Sequence, residues 1–153
     1  RGEGMRVIQR KLDSGEGLEV FAKMVAAHGG DARIVEEPGR MRAAGAILDA
    51  PAERAGHVVG VDADAIGRIV LLLGGGRRQS ADAIDHAVGV DALVKVGDHV
   101  AAGHPLMRIH ARSLDEARGV LEAASAAVTI ADAASPPAPL ILDDLHGSWK
   151  GEA

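Results

Sequence analysis

The chain has 153 residues, enough for one domain of ordinary size or a small domain with an appended piece of a neighbour, and 47% of them are apolar although Phe21 and Trp149 are the only aromatics. The core must be built from Ala, Val, Leu, Ile and Met, and a charged share of 25% with mean hydropathy near zero argues for a folded chain. A net charge of −5 with a pI near 5.8 excludes the basic footprint of a nucleic-acid binder, the lack of cysteine excludes disulfides, thiolate metal sites and cysteine nucleophiles, and neither a membrane-length apolar run nor a signal pattern is present.

Residues 3–12 place Met5, Ile8 and Leu12 on one helical stripe. Arg1, standing where an initiating Met would be, opens what reads as mid-helix, so a truncated chain is expected. Asp13, Ser14 and Gly15 interrupt the stripe. Ser14 is the expected N-cap of a second helix in which Leu18, Phe21, Met24 and Val25 share a face, and Gly29 and Gly30 end it. Two short helices with aliphatic stripes need something to pack against.

From Asp31 to Met41 the text turns polar around Pro38 and Gly39, which reads as a linker. Two short β-branched runs follow, 44–51 and 55–62, bounded by Gly, Pro and Asp, and they read as strands. Asp62 then caps a helix carrying Ile66, Ile69, Val70 and Leu73, with Gly74 at its end. Residues 88–111 alternate apolar runs with turn residues Gly97, Asp98, Gly103 and Pro105, as in a tightly turned β unit. Ser113 and Glu116 form a capping box ahead of one helix with Leu114, Ala117, Leu121 and Ala124 as its buried stripe. Residues 128–133 read as a strand, 135–139 as a rigid spacer and 140–145 as an edge strand before a polar tail. The order is α+β, without the βαβ rhythm of a doubly wound sheet.

Few residues are arranged for chemistry. The loop Gly74-Gly75-Gly76-Arg77-Arg78-Gln79-Ser80 exposes backbone N–H groups beside two arginines, which is how an anion can be cradled. It follows a helix, however, and the C-terminal end of a helix dipole disfavours anions. The alternative to an anion site is a solvated turn. Seven histidines (His28, His57, His86, His99, His104, His110, His146) include no i, i+4 helical pair; His99 and His104 share one turn region and are the pair placed to approach each other. Glu36/Glu37 and Asp143/Asp144 are sequence neighbours whose side chains diverge in extended chain, a poor arrangement for general acid–base work. No nucleophile elbow appears. Catalytic residues, metal ligands and cofactors are accordingly not expected.

Two resemblances add to this reading. The stretch VKVGDHVAAGHPLMRI resembles in architecture the second half of biotinyl and lipoyl carrier domains, which would allow a stand-alone carrier or, through Arg77 and Arg78, an anion-binding module. A carrier needs its lysine at a hairpin tip flanked by Met or by Asp and Ala, and Lys95 lacks those neighbours. The ordered set LGGGRRQ (73–79), IDHAVG (84–89) and VGDHVAAGHPL (96–106), preceded by LDSGEGLEVFAKMVAAHGGD (12–31), resembles the carboxy-terminal region of the pyrimidine-nucleoside phosphorylase family, nearest its thymidine-cleaving members. That resemblance covers nearly the whole chain.

It implies a homodimeric enzyme that uses phosphate to split thymidine into thymine and 2-deoxy-α-D-ribose 1-phosphate in a cleft between an α domain and a larger α/β domain; the acidic composition, for its part, reads as that of a cytoplasmic protein. It also implies that the Lys, Ser, Thr and Arg contacts to phosphate and base lie upstream of this chain, which by itself is expected to be inactive. The implied fold is an α/β hammerhead-like C-terminal domain with a barrel-sandwich element, preceded by two short helices. Residues 1–30 would be helices of the preceding body, 31–43 a linker, 44–145 the C-terminal domain and 146–153 a polar tail. Arg77 and Arg78 are the only weak substrate-contact candidates.

Overall fold

A computed structural model describes residues 2–136. The chain forms two compact units, Arg1–Ala44 and Gly45–Ala153. The edge strand and tail read from 140 onwards lie outside the described residues, as does part of the 135–139 spacer.

The first unit holds α1 (Gly2–Asp13) and α2 (Glu16–Ala27), followed by two 3-10 turns, Ala32–Val35 and Pro38–Arg40, in the stretch read as a linker. The left-handed N-cap of α2 is Gly15 and not Ser14, because a φ of +78° suits the residue without a Cβ. Ser14 instead accepts the Glu16 N–H through its hydroxyl, 3.4 Å away. His28 caps the far end, and Gly29 with φ +79° lets the Gly30 N–H reach back to the Val25 carbonyl. Asp31 opens the first 3-10 turn by accepting the Arg33 N–H at 3.0 Å, and its carboxylate also takes the Arg33 guanidinium, with Arg40 3.4 Å away. The Arg33 hydrogen bonds hold the Asp31 carboxyl far below the ordinary aspartate value. Both helices bury no residue: Met5, Ile8 and Leu12 on α1 and Leu18, Phe21 and Met24 on α2 are between 44% and 67% exposed.

The second unit contains two three-stranded antiparallel sheets. In one, β5 (Pro105–Ala111) lies between β1 (Ala46–Pro51) and β3 (Gly89–Asp91); in the other, β2 (Gly56–Val61) lies between β4 (His99–Val100) and β6 (Val128–Ala131). A register shift at Ala50/Pro51 fits the missing N–H of proline at the end of β1. The β unit read at 88–111 thus divides its strands between the two sheets. The core is as aliphatic as composition requires: Val58, Ile69, Leu73, Val100, Leu106, Met107 and Ile109 are the largest fully buried side chains.

The helix α3 (Ala63–Leu73) follows its sequence reading closely. The Asp62 carboxylate accepts the Ala65 N–H at 3.0 Å, Ile69 and Leu73 enter the core, and Gly74 ends the helix with φ +93°. The single helix expected after Ser113 is instead two, α4 (Leu114–Gly119) and α5 (Leu121–Ala126). The break falls at Val120, with φ −109° and ψ 0°, where a glycine precedes a β-branched residue and the valine itself is drawn into the core. Ser113 caps α4 through its hydroxyl, but the Glu116 carboxylate returns to the Arg112 N–H, one residue further back than a capping box places it. Of the expected stripe, Ala117 and Ala124 are fully buried, Leu121 packs at the core margin, and Leu114 is exposed on the first turn.

Candidate functional site

The glycine loop that drew attention in the sequence leaves the C-terminal end of α3. A helix end leaves carbonyls without partners and carries partial negative charge, so it calls for donors and a cation. The chain supplies both from a distance. Arg112, just past the end of β5, donates from Nη2 to the Leu73 carbonyl at 3.0 Å, from Nε to Asp85 at 3.1 Å and from Nη1 to Glu116 at 3.3 Å. The Asp85 N–H in turn donates to the Gly74 carbonyl at 3.0 Å, and the Asp85 carboxylate accepts the Ala87 N–H at 3.1 Å. Gly74 suits this position: its φ is left-handed, and a Cβ there would have to displace the Arg112 guanidinium. The LGGGRRQ and IDHAVG segments are therefore tied together by one arginine.

Beyond Gly74 the chain encloses an open depression of about 460 Å³ whose wall includes Gly74, Gly76, Arg78, Gln79, Asp82 and Arg112. The two sequence-level candidates part company here. Arg78 lines the depression, whereas Arg77 is exposed and is not part of its wall. The backbone amides of Arg78 and Gln79, the groups expected to cradle an anion, both donate to the Asp82 carboxylate at 2.9 Å. An acidic side chain of the same loop thus occupies the amide pair. Arg112, for its part, is committed to Asp85, Glu116 and the Leu73 carbonyl.

Lys95 stands exposed at the first corner of a tight turn, Lys95–Asp98, closed by the Asp98 N–H on the Lys95 carbonyl at 3.0 Å. Gly97 at the third corner has φ +101°, the value a type II turn demands. His99 begins β4, and the imidazole that meets it belongs to His57 on β2 rather than to the neighbour in its own turn region, His104. Among the described residues no group of three or more His, Asp or Glu is placed to hold a metal ion. Arg112, Asp82 and the pairing of His57 with His99 escaped the sequence reading. Their partners lie on other elements or, for Asp82, are backbone amides that no spacing rule announces.

The comparisons with known proteins agree on one family. The pyrimidine nucleoside phosphorylase C-terminal domain matches residues 57–131, the stretch that holds α3, the glycine loop, Asp85 and Arg112. A protein named thymidine phosphorylase from Burkholderia lata is 40% identical over 129 residues, covering 84% of this chain and 30% of its own length. Proteins of the same name from two strains of Burkholderia cenocepacia are 40% identical over 140 residues, covering 91% of this chain and 32% of theirs, and 48% identical over 111 residues, covering 72% and 25%. The chain spans about a third of the length of the curated relatives it matches. Through its C-terminal domain, the chain belongs to the pyrimidine nucleoside phosphorylase family.

Proposed function

We propose that the chain serves as the C-terminal domain of an enzyme that phosphorolyses thymidine to thymine and 2-deoxy-α-D-ribose 1-phosphate. The 48% identity over 111 residues with a protein named thymidine phosphorylase is the observation that carries this reading. In that reaction a phosphate oxygen forms a bond to the anomeric carbon as the bond from that carbon to the base nitrogen breaks, and the base departs as an anion that takes up a proton. Such chemistry needs cationic and hydroxyl donors aimed at the leaving base and the phosphate. The loop amides of Arg78 and Gln79 are not among them, since Asp82 holds both, and Arg112 is held by two carboxylates and a helix end. The contribution of this domain is support, with Arg78 as the side chain best placed to touch a neighbouring part of such an enzyme and Arg77 beside it.

The same reading carries the finer assignments. The two antiparallel sheets with α3 and the α4–α5 pair correspond to a hammerhead-like domain with a barrel-sandwich element over 44–145. Residues 1–30, whose two helices bury no residue, belong to the body of the enzyme that precedes it, with 31–43 as linker and 146–153 as tail. The enzyme is a cytoplasmic homodimer, and phosphate and thymidine are its substrates. The test uses the protein encoded by the complete reading frame. With thymidine and inorganic phosphate, ³¹P NMR is expected to show loss of phosphate and growth of a sugar 1-phosphate; a protein that leaves both phosphate and thymidine unchanged would overturn the proposal.

A further inference from the structure

The sheet formed by β4, β2 and β6 carries a pair of imidazoles that phosphorolysis does not use. Strand β4 is only two residues long, His99 and Val100, and its register on β2 sets His99 directly opposite His57. The ring centres are 4.8 Å apart, with the planes at 73°. The backbone on both sides is fixed. The Val58 N–H donates to the Asp98 carbonyl at 2.9 Å, the Gly97 N–H donates to the Val58 carbonyl at 2.8 Å, and the Asp98 carboxylate accepts the Lys95 N–H at 2.7 Å. These bonds hold the two backbone positions opposite each other.

Two features of the pair are those of a chelate. His57 Nδ1 is buried without a hydrogen-bond partner, a nitrogen left with an unmet lone pair or proton. The separation also fits: metal–nitrogen bonds of about 2.0–2.1 Å at tetrahedral or square-planar angles put the centres of two coordinated imidazoles roughly 5 Å apart. An edge-on packing contact between imidazoles explains the distance alone, but it leaves Nδ1 unmatched. His99 is exposed while His57 Nδ1 is closed to solvent, so an ion approaches from the side of His99. Imidazole nitrogen selects late divalent transition metals over Mg²⁺ and Ca²⁺, which take oxygen ligands.

We propose that His57 and His99 form a two-point, cross-strand chelating site for a divalent transition-metal ion such as Cu²⁺ or Zn²⁺. Since no cluster of three metal-ligating side chains exists among the described residues, water completes the coordination sphere. The site staples the short strand β4 to β2, which serves stability and involves no chemistry at the metal. By the usual order of divalent affinities, Cu²⁺ binds more tightly than Zn²⁺.

The test is titration of the tag-free 153-residue chain with CuSO₄ and, separately, ZnCl₂, followed by calorimetry and by histidine side-chain resonances in NMR. The expected result is one ion per chain, with Cu²⁺ broadening the resonances of His57 and His99 first. His57→Asn and His99→Asn each weaken binding tenfold or more, while His104→Asn leaves it unchanged. The NMR readout on the parent chain keeps the test valid should a variant fold poorly. Absence of binding by the parent, broadening centred on other histidines, or a folded His57→Asn or His99→Asn protein that binds as tightly as the parent would each overturn the site.

Discussion

Replacing Arg112 by Ala removes a guanidinium that joins three elements, and the cost follows from its contacts. The side chain is 52% exposed, so its pairing with Glu116, itself 40% exposed, is largely screened and contributes about 0–1 kcal/mol. The contacts with Asp85, whose side chain is 13% exposed, and with the Leu73 carbonyl are better shielded. Taking one charge-assisted hydrogen bond at about 1.5–3 kcal/mol and discounting for the exposed arginine, the loss is about 2 kcal/mol in total. For a domain of this size that is roughly 8 °C in melting temperature. Arg112→Lys, which keeps the charge and loses the planar fork, recovers about half of it. Gly74→Ala supplies the sharper test. Alone it adds left-handed backbone strain of about 1 kcal/mol and also displaces the guanidinium, about 3 kcal/mol together. In an Arg112→Ala background only the strain remains. Urea unfolding of the parent, both single variants and the double variant is therefore expected to give a coupling energy of about 2 kcal/mol. An Arg112→Ala loss below about 0.5 kcal/mol, or strict additivity of the two changes, would refute the reading of Arg112 as the tie between loop and helix.

Three further outcomes are expected. Asp82→Ala frees the Arg78 and Gln79 amides, so their hydrogen exchange should speed up at least tenfold; unchanged exchange at both would show that the carboxylate does not hold the loop. Ala92 is the sole described residue other than glycine with positive φ, at +49°, so Ala92→Gly should be at least as stable as the parent and Ala92→Val about 1 kcal/mol or more less stable, with equal losses in the two variants arguing against strain. Asp31 has a depressed folded-state pKa, chiefly through the Arg33 hydrogen bond, so the stability it confers is present above the ordinary value near 3.8 and is lost as pH falls through the folded value. Carboxyl NMR should accordingly show Asp31 still ionised where exposed aspartates are protonated, and titration at the ordinary value would contradict the pairing.

Local chemistry was legible in the sequence where a residue answers to its near neighbours. Asp62 and Ser113 as caps, Gly74 and Gly29 as helix ends, and Ile69 and Leu73 as the inward face of α3 all follow from spacings of three or four residues. Where two local preferences compete, the text misleads: Ser14 is a better capping side chain than Gly15, but the backbone needs a left-handed residue, and a continuous apolar period from Leu114 to Ala124 hides the break at Val120. The loop was legible as a cluster of glycines and arginines but not as a site. Arg112 reads as one more surface arginine until the fold brings it to Leu73 and Asp85, and the pairing of His57 with His99 depends on strand register that periodicity does not reveal.

The separation of support from chemistry is tested most directly by the chain itself. The purified 153-residue protein, shown to melt cooperatively, is incubated with thymidine and inorganic phosphate while the loss of nucleoside absorbance is followed. The expected result is no conversion above the enzyme-free blank. Phosphate-dependent release of thymine by this chain alone would contradict the account, because it would place the catalytic groups within residues read here as a supporting domain.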